Sequence, residues 1–591
     1  MIQLDDEQQA AVSYDGNVVV TACPGSGKTR VLTARAIRGV RDLKSPKERV
    51  VALTFTNRAA DEIESRLNEE NVPTERLWAG TIHAFALEWV LRPYAPYLEE
   101  TRLGFSVADE YLTDKLLDDC KKQLGVDLYT KISTWTSRDG LATNSDERCS
   151  EAFTRYKAGL RAKKLIDYDD VLYLAFKALM ERPEIGATLA SIIRVVCVDE
   201  LQDIQDLQYG ILSAIFKASA FPPTLFFVGD PHQSIYESLG ALTKTAEEIA
   251  AEFGLDAIKH LRLEGNYRST QRLIDFYRQF RPGIQAIKSR AKIASDWGLI
   301  TFADQTVVKE DLAYAIAARI SSAIQDGIAP DEICVLAPQW RHVRAISQQL
   351  TRALPHVAFD APGLSPLYSA RDNVWFEISR LFLTSPTPSR IRARMMWARG
   401  VLTTLETFPT VSILPEVGTA RRLLRVINSI SSTETEGISY LQEVFAQLLV
   451  LMGIELDSCH ALKNASEIFF EKAAKSISDA EGAISSDVES FKRLFNHPSG
   501  VVVSTCHGVK GEEYDTVIAF GLLRGYLPNW DVILNGSSFA ADEQEAKLTF
   551  VICSRAKRRL HLISEAGHRT RKGKPYETAW LLQNVQCNYD I

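Results

Sequence analysis

At 591 residues the chain is too long for one hydrophobic core, and its length alone suggests roughly three to five domains. A hydrophobic share of 46% and a charged share of 24% belong to an ordinary globular protein, and no apolar run approaches the roughly 18 residues of a membrane span. The net charge of −7 argues against a passive coat for nucleic acid, whose affinity rests on neutralising backbone phosphates, but not against an enzyme gripping a few nucleotides in a local groove.

The start, Met1-Ile2-Gln3-Leu4-Asp5-Asp6, is acidic and lacks the basic, apolar opening of a secretory signal. Nine cysteines between Cys23 and Cys587 include no Cys-x-x-Cys pair, so the reading is free thiols in a reducing cytoplasm. Asn17–Thr21 reads as a short strand entering a Gly-rich turn, and Val50–Phe55 as a second buried strand. Val195–Val198 and Thr224–Val228 follow. Short apolar strands separated by helical stretches predict an α/β fold with parallel sheets covered on both faces. Residues from about 89 to 168 are polar, helix-prone and strand-poor, and read as an insertion.

The alternation returns after about 280. Leu312, Ile316, Ile320 and Ile324 mark one face of a helix that closes before Gly327. Glu332–Leu336, Val501–Val503 and Val517–Phe520 read as strands, with a second helical insertion over about 363–496. Two basic runs, Arg555–Arg559 and His568–Lys574, each read as a solvated face more readily than as a contact.

Ala22-Cys23-Pro24-Gly25-Ser26-Gly27-Lys28-Thr29 follows a strand and should open a helix. Glycines there let backbone N–H groups curl around phosphate oxygens at the positive end of the helix. Lys28 would reach the β- and γ-phosphates of ATP, and Thr29 would ligate Mg²⁺. The strict Gly-x-x-x-x-Gly-Lys-Ser/Thr pattern fails at Ala22. Asp199-Glu200 ends the strand Val195–Val198, where Asp199 would hold Mg²⁺ and Glu200 would orient and deprotonate the attacking water.

From here the order of motifs resembles the UvrD/Rep branch of superfamily 1 helicases. Leu4–Val12 resembles its Q motif, implying that Gln8 reads adenine, and alanine at position 22 is common in its phosphate loop. Asp199-Glu200-Leu201-Gln202-Asp203 matches DExQD. Gly229–Tyr236 matches GDxxQSIY, with Gln233 sensing the γ-phosphate. Asn266-Tyr267-Arg268-Ser269 matches NYRS. Thr505–Tyr514 resembles TxHxxKGLEF, and Ser554-Arg555-Ala556 the last motif, with Glu545, Lys547 and Leu548 upstream. The resemblance covers residues 4 to 562. It implies an adenine sandwich of Tyr267 and Arg30, Arg268 and Arg555 on the γ-phosphate, and Glu513 on the ribose side. Thr54–Ala60 resembles TFTNKAA and Gly80–His83 resembles GTFH, so Phe55, His83, Tyr236 and His507 are the implied nucleic-acid track.

The chain departs from the family in two places. After the GDxxQSIY match the family carries an aromatic followed by Arg-Gly-Ala, whereas this chain has Ser238-Leu239-Gly240-Ala241. A stacking ring is therefore missing unless another side chain supplies it. Glu512 stands where the family prefers leucine.

The resemblance implies two RecA-like domains with ATP in the cleft between them. The first, called 1A, would comprise 1–88 and 169–278, with helical insertion 1B at 89–168. The second, 2A, would comprise 279–362 and 497–591, with insertion 2B at 363–496 and no further domain after the last motif. The implied activity is ATP hydrolysis driving 3′-to-5′ movement on single-stranded DNA and unwinding of tailed duplex. A rival is an ATP-gated DNA sensor or regulatory subunit that unwinds poorly. In size and simplicity the chain resembles the compact UvrD-like proteins that anti-phage systems such as Gabija pair with a nuclease. An RNA-directed motor is a second rival.

Overall fold

A computed structural model describes residues 3–54, 60, 63, 66–67, 70, 72, 74–108, 110–128, 130–144, 146–235, 240–284, 286–361, 365–367, 373–387, 390–406, 408, 411–479, 485–495, 500–535, 537–570 and 572–590. The chain forms two compact units. The first takes Met1–Ile300, Leu527–Arg559 and Ala579–Ile591, and the second Thr301–Tyr526 and Leu560–Thr578.

In the first unit α1 (Asp6–Ser13) leads to β1 (Val18–Ala22) and α2 (Lys28–Asp42). Then come β2 (Arg49–Thr54), β3 (Leu77–Thr81), β4 (Ile193–Val198), β5 (Thr224–Gly229) and β6 (Lys259–Leu263). They form one sheet in the order β3-β2-β4-β5-β1-β6, with every pairing parallel. The four strands read from sequence occupy the buried interior of that sheet, where β-branched runs are covered on both faces. The two outermost strands were not legible: β3 carries a glycine, and β6 alternates charged and apolar residues as an exposed edge does. Helix α2 lays Val31, Leu32, Ala36, Ile37 and Val40 on the sheet, and a fully buried Val, Leu or Ile contributes roughly 1.5–3 kcal/mol.

Between β3 and β4 lie α3 (Glu110–Leu124), α4 (Glu147–Ala162) and α5 (Tyr168–Glu181). Helices α3 and α4 share a small core built from Leu117, Cys120, Ala152 and Phe153. A buried cation ties α4 to α5: Lys157 Nζ lies 2.7 Å from Asp167 and 2.8 Å from Asp170. Asp167 also caps α5 and accepts from the Tyr156 hydroxyl at 2.9 Å, so no charge in this cluster is left unpaired.

The second unit holds β8 (Ile333–Ala337), β9 (Phe359–Asp360), β10 (Val501–Thr505), β11 (Tyr514–Ala519) and the greater part of β7 (Leu299–Val308) and β12 (Ala556–Ala566), in the order β7-β12-β11-β8-β10-β9. Leu312, Ile316 and Ile320 are buried on the helix Leu312–Gln325, as their spacing predicts, and Gly327 follows its end at φ 85°. From Val374 to Arg493 the described elements are helical, around a core of their own in which Trp375 donates to the Leu462 carbonyl at 3.1 Å.

One sequence reading needs correcting. The run Arg555–Arg559 is not a solvated face: Arg555 is 1% exposed, and Ala556 begins β12, whose residues Leu560–Glu565 are buried. A basic cluster masked the strand because its cations stand at the strand's entrance while the apolar residues follow. The second run, around the bridge between Arg569 and Pro575, is largely exposed, as predicted. Among the described residues no helix is long and apolar enough to cross a membrane.

Candidate nucleotide site

Because the strands are parallel, the loops after β1, β4, β5 and β6 gather at one end of the first unit's sheet, where α/β folds place ligands. The Cys23 N–H donates to the Leu263 carbonyl at 3.1 Å, and the Asp199 N–H to the Leu53 carbonyl at 2.8 Å.

The loop Cys23–Gly27 is held by its carbonyls. Asn266 Nδ2 donates to Pro24 O at 2.7 Å, the Tyr267 N–H to Gly25 O at 2.8 Å, and Gln8 Nε2 to Ser26 O at 2.8 Å. Gly25 and Gly27 sit at φ 67° and 81°, in the left-handed region. A Cβ on Gly25 would come within 2.7 Å of Arg268 Cβ, so this glycine admits the close approach of the NYRS segment. Helix α2 opens at Lys28 with no side-chain cap, leaving its first N–H groups and dipole for an anion. Ser26 Oγ is buried and has no hydrogen-bond partner among the described residues. An uncapped helix start, a left-handed glycine cradle and an orphaned hydroxyl together fit a bound phosphate chain. Burial pushes the Cys23 thiol up to about 12, so this loop residue stays neutral.

From Lys28 a row of polar side chains crosses the ends of the strands. Lys28 Nζ lies 3.9 Å from Glu200 Oε2, and Gln202 Nε2 donates to that same oxygen at 2.6 Å. Gln202 Oε1 accepts the Asp230 N–H at 2.8 Å. Asp230 Oδ2 accepts from Gln233 Nε2 at 2.7 Å, and Gln233 Oε1 accepts from Arg555 Nη2 at 2.7 Å. Glu200 stands at φ 50°, a conformation costly for a residue with a Cβ and found at sites that must aim a group. Gly229 is equally constrained, because a Cβ there would meet Gln202 Oε1 at 2.6 Å and the Leu201 N–H at 2.8 Å.

The NYRS and final motifs interlock within this unit. Arg268 Nη1 donates to Ser554 O at 2.8 Å, Ser269 Oγ to Ala556 O at 2.6 Å, and the Thr270 N–H to Lys557 O at 3.1 Å. Arg555 Nε also donates to Val551 O at 3.1 Å. Ser554 and Arg555 are carried by the end of the helix Ser538–Cys553, where Glu545 accepts the Leu581 N–H at 2.6 Å.

On the adenine side, Gln8 is buried and both ends of its amide are engaged, since Oε1 also accepts the Asp5 N–H at 3.2 Å in a capping box. Its visible work is to tie α1 to the phosphate loop. The Tyr267 hydroxyl donates to Asp5, while Arg290 pairs with Asp5 at 2.8 Å and Glu7 at 2.6 Å. Arg30 is exposed on the first turn of α2. Ala22 ends β1, buried; Pro24 is buried in the loop; Thr29 is half-buried on α2. Asp199 is buried and accepts the Glu200 N–H at 2.9 Å. Among the described residues no group of three or more His, Cys, Asp or Glu could hold a metal by itself.

Of the implied nucleic-acid track, Phe55 and Tyr236 lie outside the described residues, as do Ser238 and Leu239. His83 is stacked on Tyr168, ring centroids 4.1 Å apart and planes at 15°. Burial brings its pKa down to about 4, so it acts as a neutral ring. Tyr168 escaped sequence analysis because an aromatic beside a helix start reads as core; it is 47% exposed. In the second unit His507 is half-buried on the turn after β10, its Nδ1 3.5 Å from Cys506 Sγ, and Glu513 is exposed just before β11. The departure at Glu512 has a local reason: it accepts from the Tyr514 hydroxyl, so the two polar residues that replace the family's leucine and phenylalanine pair with each other.

Residues 4–254 match the family model of the UvrD/REP helicase N-terminal domain. The chain is 31% identical to the ATP-dependent DNA helicase PcrA of Leuconostoc citreum over 286 residues, covering 46% of this chain and 37% of that protein. It is 31% identical to the ATP-dependent DNA helicase Rep of Escherichia coli over 46% of this chain and 42% of that protein. With YjcD of Bacillus subtilis the identity is 23%, over 95% of this chain and 79% of that protein.

Proposed function

From the match of residues 4–254 to the UvrD/REP helicase N-terminal domain, we propose that this chain is an ATP-dependent DNA helicase of that family. In this reading it hydrolyses ATP to move 3′-to-5′ on single-stranded DNA and to unwind tailed duplex. The observation that carries the reading is the unbroken row Lys28–Glu200–Gln202–Asp230–Gln233–Arg555, which links four motifs beside an anion-ready loop. The domains would follow the 1A, 1B, 2A and 2B pattern of the family.

Lys28 and the first N–H groups of α2 bind the phosphates. Glu200, aimed by its backbone and by Gln202, takes the proton of the attacking water. Arg268 and Arg555 offset charge on the transferring phosphoryl group, and Gln233 holds Arg555 in reserve near it. Tyr267, fixed through Asp5, stacks with adenine together with Arg30, while Gln8 secures the loop. Thr29 and Asp199 would hold Mg²⁺, which would supply positive charge to offset that of the phosphate oxygens during transfer. On the nucleic-acid side Phe55, His83, Tyr236 and His507 serve as the track, joined by the exposed ring of Tyr168.

The sequence departure at Ser238 and Leu239 favours a second reading, a DNA-sensing subunit with weak unwinding that works beside a nuclease in phage defence. Strand displacement on 3′-tailed and 5′-tailed duplexes tests both. The helicase reading requires efficient displacement on the 3′-tailed substrate alone. DNA-stimulated hydrolysis with little displacement favours the sensor, and hydrolysis indifferent to DNA defeats both.

A further inference from the structure

Two positions beyond Ser238, where the family's aromatic ring is missing from the sequence, the chain meets another ring. Gly240, at φ 83°, lies directly under the indole of Trp135, and a Cβ built on it would fall 2.4 Å from Cζ3 and 2.8 Å from Cη2. No other residue type would let the ring lie so close to this backbone. Gly240 is two positions beyond Ser238, and the chain after it runs along the DExQD loop: Ala241 bridges to Gln205, and the Leu242 N–H donates to Ile204 O at 2.8 Å.

Trp135 is also linked, through its chain neighbour, to the His83–Tyr168 pair. Its neighbour Thr134 donates through Oγ1 to Asp169 Oδ2 at 2.5 Å, and Asp169 adjoins Tyr168, the ring stacked on His83. Rings from β3's end, from the start of α5 and from the loop 130–144 are thus brought to one region by separate segments. The loop is fixed in place. Asn144 bonds the Ser133 backbone through both ends of its amide, at 2.8 and 2.9 Å, and Arg138 pairs with Asp206 at 2.8 Å and Glu252 at 2.9 Å. Gly140 packs under the Tyr173 hydroxyl. Trp135 nevertheless remains half-exposed. A rigid, partly open indole costs little ordering when a flat ligand stacks on it.

We infer that Trp135 is a base-stacking residue of a single-stranded DNA subsite, supplying from the insertion the ring that Ser238 leaves out. The inference rests on the nucleic-acid reading above. Every base has a π-face, so the contact is indifferent to sequence and falls on the base rather than on its phosphate.

The test compares binding of a fluorescent oligo-dT with that of an abasic strand of equal length and charge, by anisotropy. The unmodified protein is set against Trp135→Ala, Trp135→Leu and Trp135→Phe. Leucine keeps apolar bulk over Gly240 without a π-face, and phenylalanine restores one. Trp135→Ala and Trp135→Leu should weaken oligo-dT binding roughly five- to hundredfold, Trp135→Phe should keep most of it, and all four proteins should bind the abasic strand alike. Unchanged oligo-dT binding in Trp135→Leu overturns the inference, as does an equal loss on both strands, which would mark Trp135 as a loop anchor. If the unmodified protein binds neither strand, the nucleic-acid reading itself has failed.

Discussion

The phosphate end and the aromatic end of the first unit are built by opposite means. At the phosphate end, short contiguous motifs set their side chains in one row of hydrogen bonds and an ion pair that passes from motif to motif. At the aromatic end, His83, Tyr168 and Trp135 come from three segments spread across 86 positions, and packing rather than motif order assembles them. Charge placed for phosphoryl transfer demands fixed geometry, whereas stacking demands only an open flat ring. Substitutions at the first end should therefore act on turnover, and at the second on DNA response.

The largest effect belongs to Lys28 and Glu200. Lys28→Ala should cut kcat by roughly a hundredfold or more, because Lys28 is the cation that opens α2 beside the phosphate loop. Glu200→Gln should keep ATP binding and lose turnover to a similar degree, read by nucleotide-binding fluorescence against steady-state hydrolysis. Loss of binding in Glu200→Gln would instead make that residue structural. Arg555→Ala and Arg268→Ala come next: each should lower kcat by about 10³-fold, the scale of an arginine finger, with far less change in KM for ATP. Equal losses in kcat and affinity would mean that these arginines only lock the NYRS segment to Ser554 and its neighbours.

Gln202 offers a smaller and more diagnostic change. Gln202→Ala removes the link between Glu200 and Asp230, leaving a buried N–H unpaired at a cost of roughly 1–3 kcal/mol. Thermal unfolding should report that loss, and kcat should fall while DNA affinity stays put. A fall in DNA affinity would erase the division between the two ends.

The smallest effect is a pH dependence at the aromatic end. Burial lowers the pKa of His83 to about 4 in the folded state, below the roughly 6.5 of an unfolded histidine. The unfolded chain then binds the extra proton, so this contribution to stability is complete above about pH 6.5 and is lost as pH falls toward 4. His83→Phe should flatten that part of the unfolding profile. DNA affinity between pH 6 and 8 should show no step from His83, and a step abolished by His83→Phe would show that it meets phosphate as a cation.

The sequence disclosed the inner strands and the phosphate loop because burial on both faces writes β-branched runs, and because left-handed turns write glycine. It missed β3, β6 and β12, where edge exposure or a basic entrance dilutes the apolar signal. It placed 497–591 with the second domain, whereas Leu527–Arg559, with Arg555, packs in the first unit. That placement depends on long-range bonds from Arg268 and Ser269, which no local pattern encodes. The pairing of Gln233 with Arg555, 322 positions apart, was invisible for the same reason.

The central claim is that the row from Lys28 to Arg555 turns over ATP in response to single-stranded DNA. Steady-state hydrolysis by the unmodified chain, titrated with oligo-dT, tests it most directly. The account predicts a rate that climbs and saturates with the oligonucleotide and disappears in Lys28→Ala. A rate that ignores the oligonucleotide, or that survives in Lys28→Ala, would contradict it.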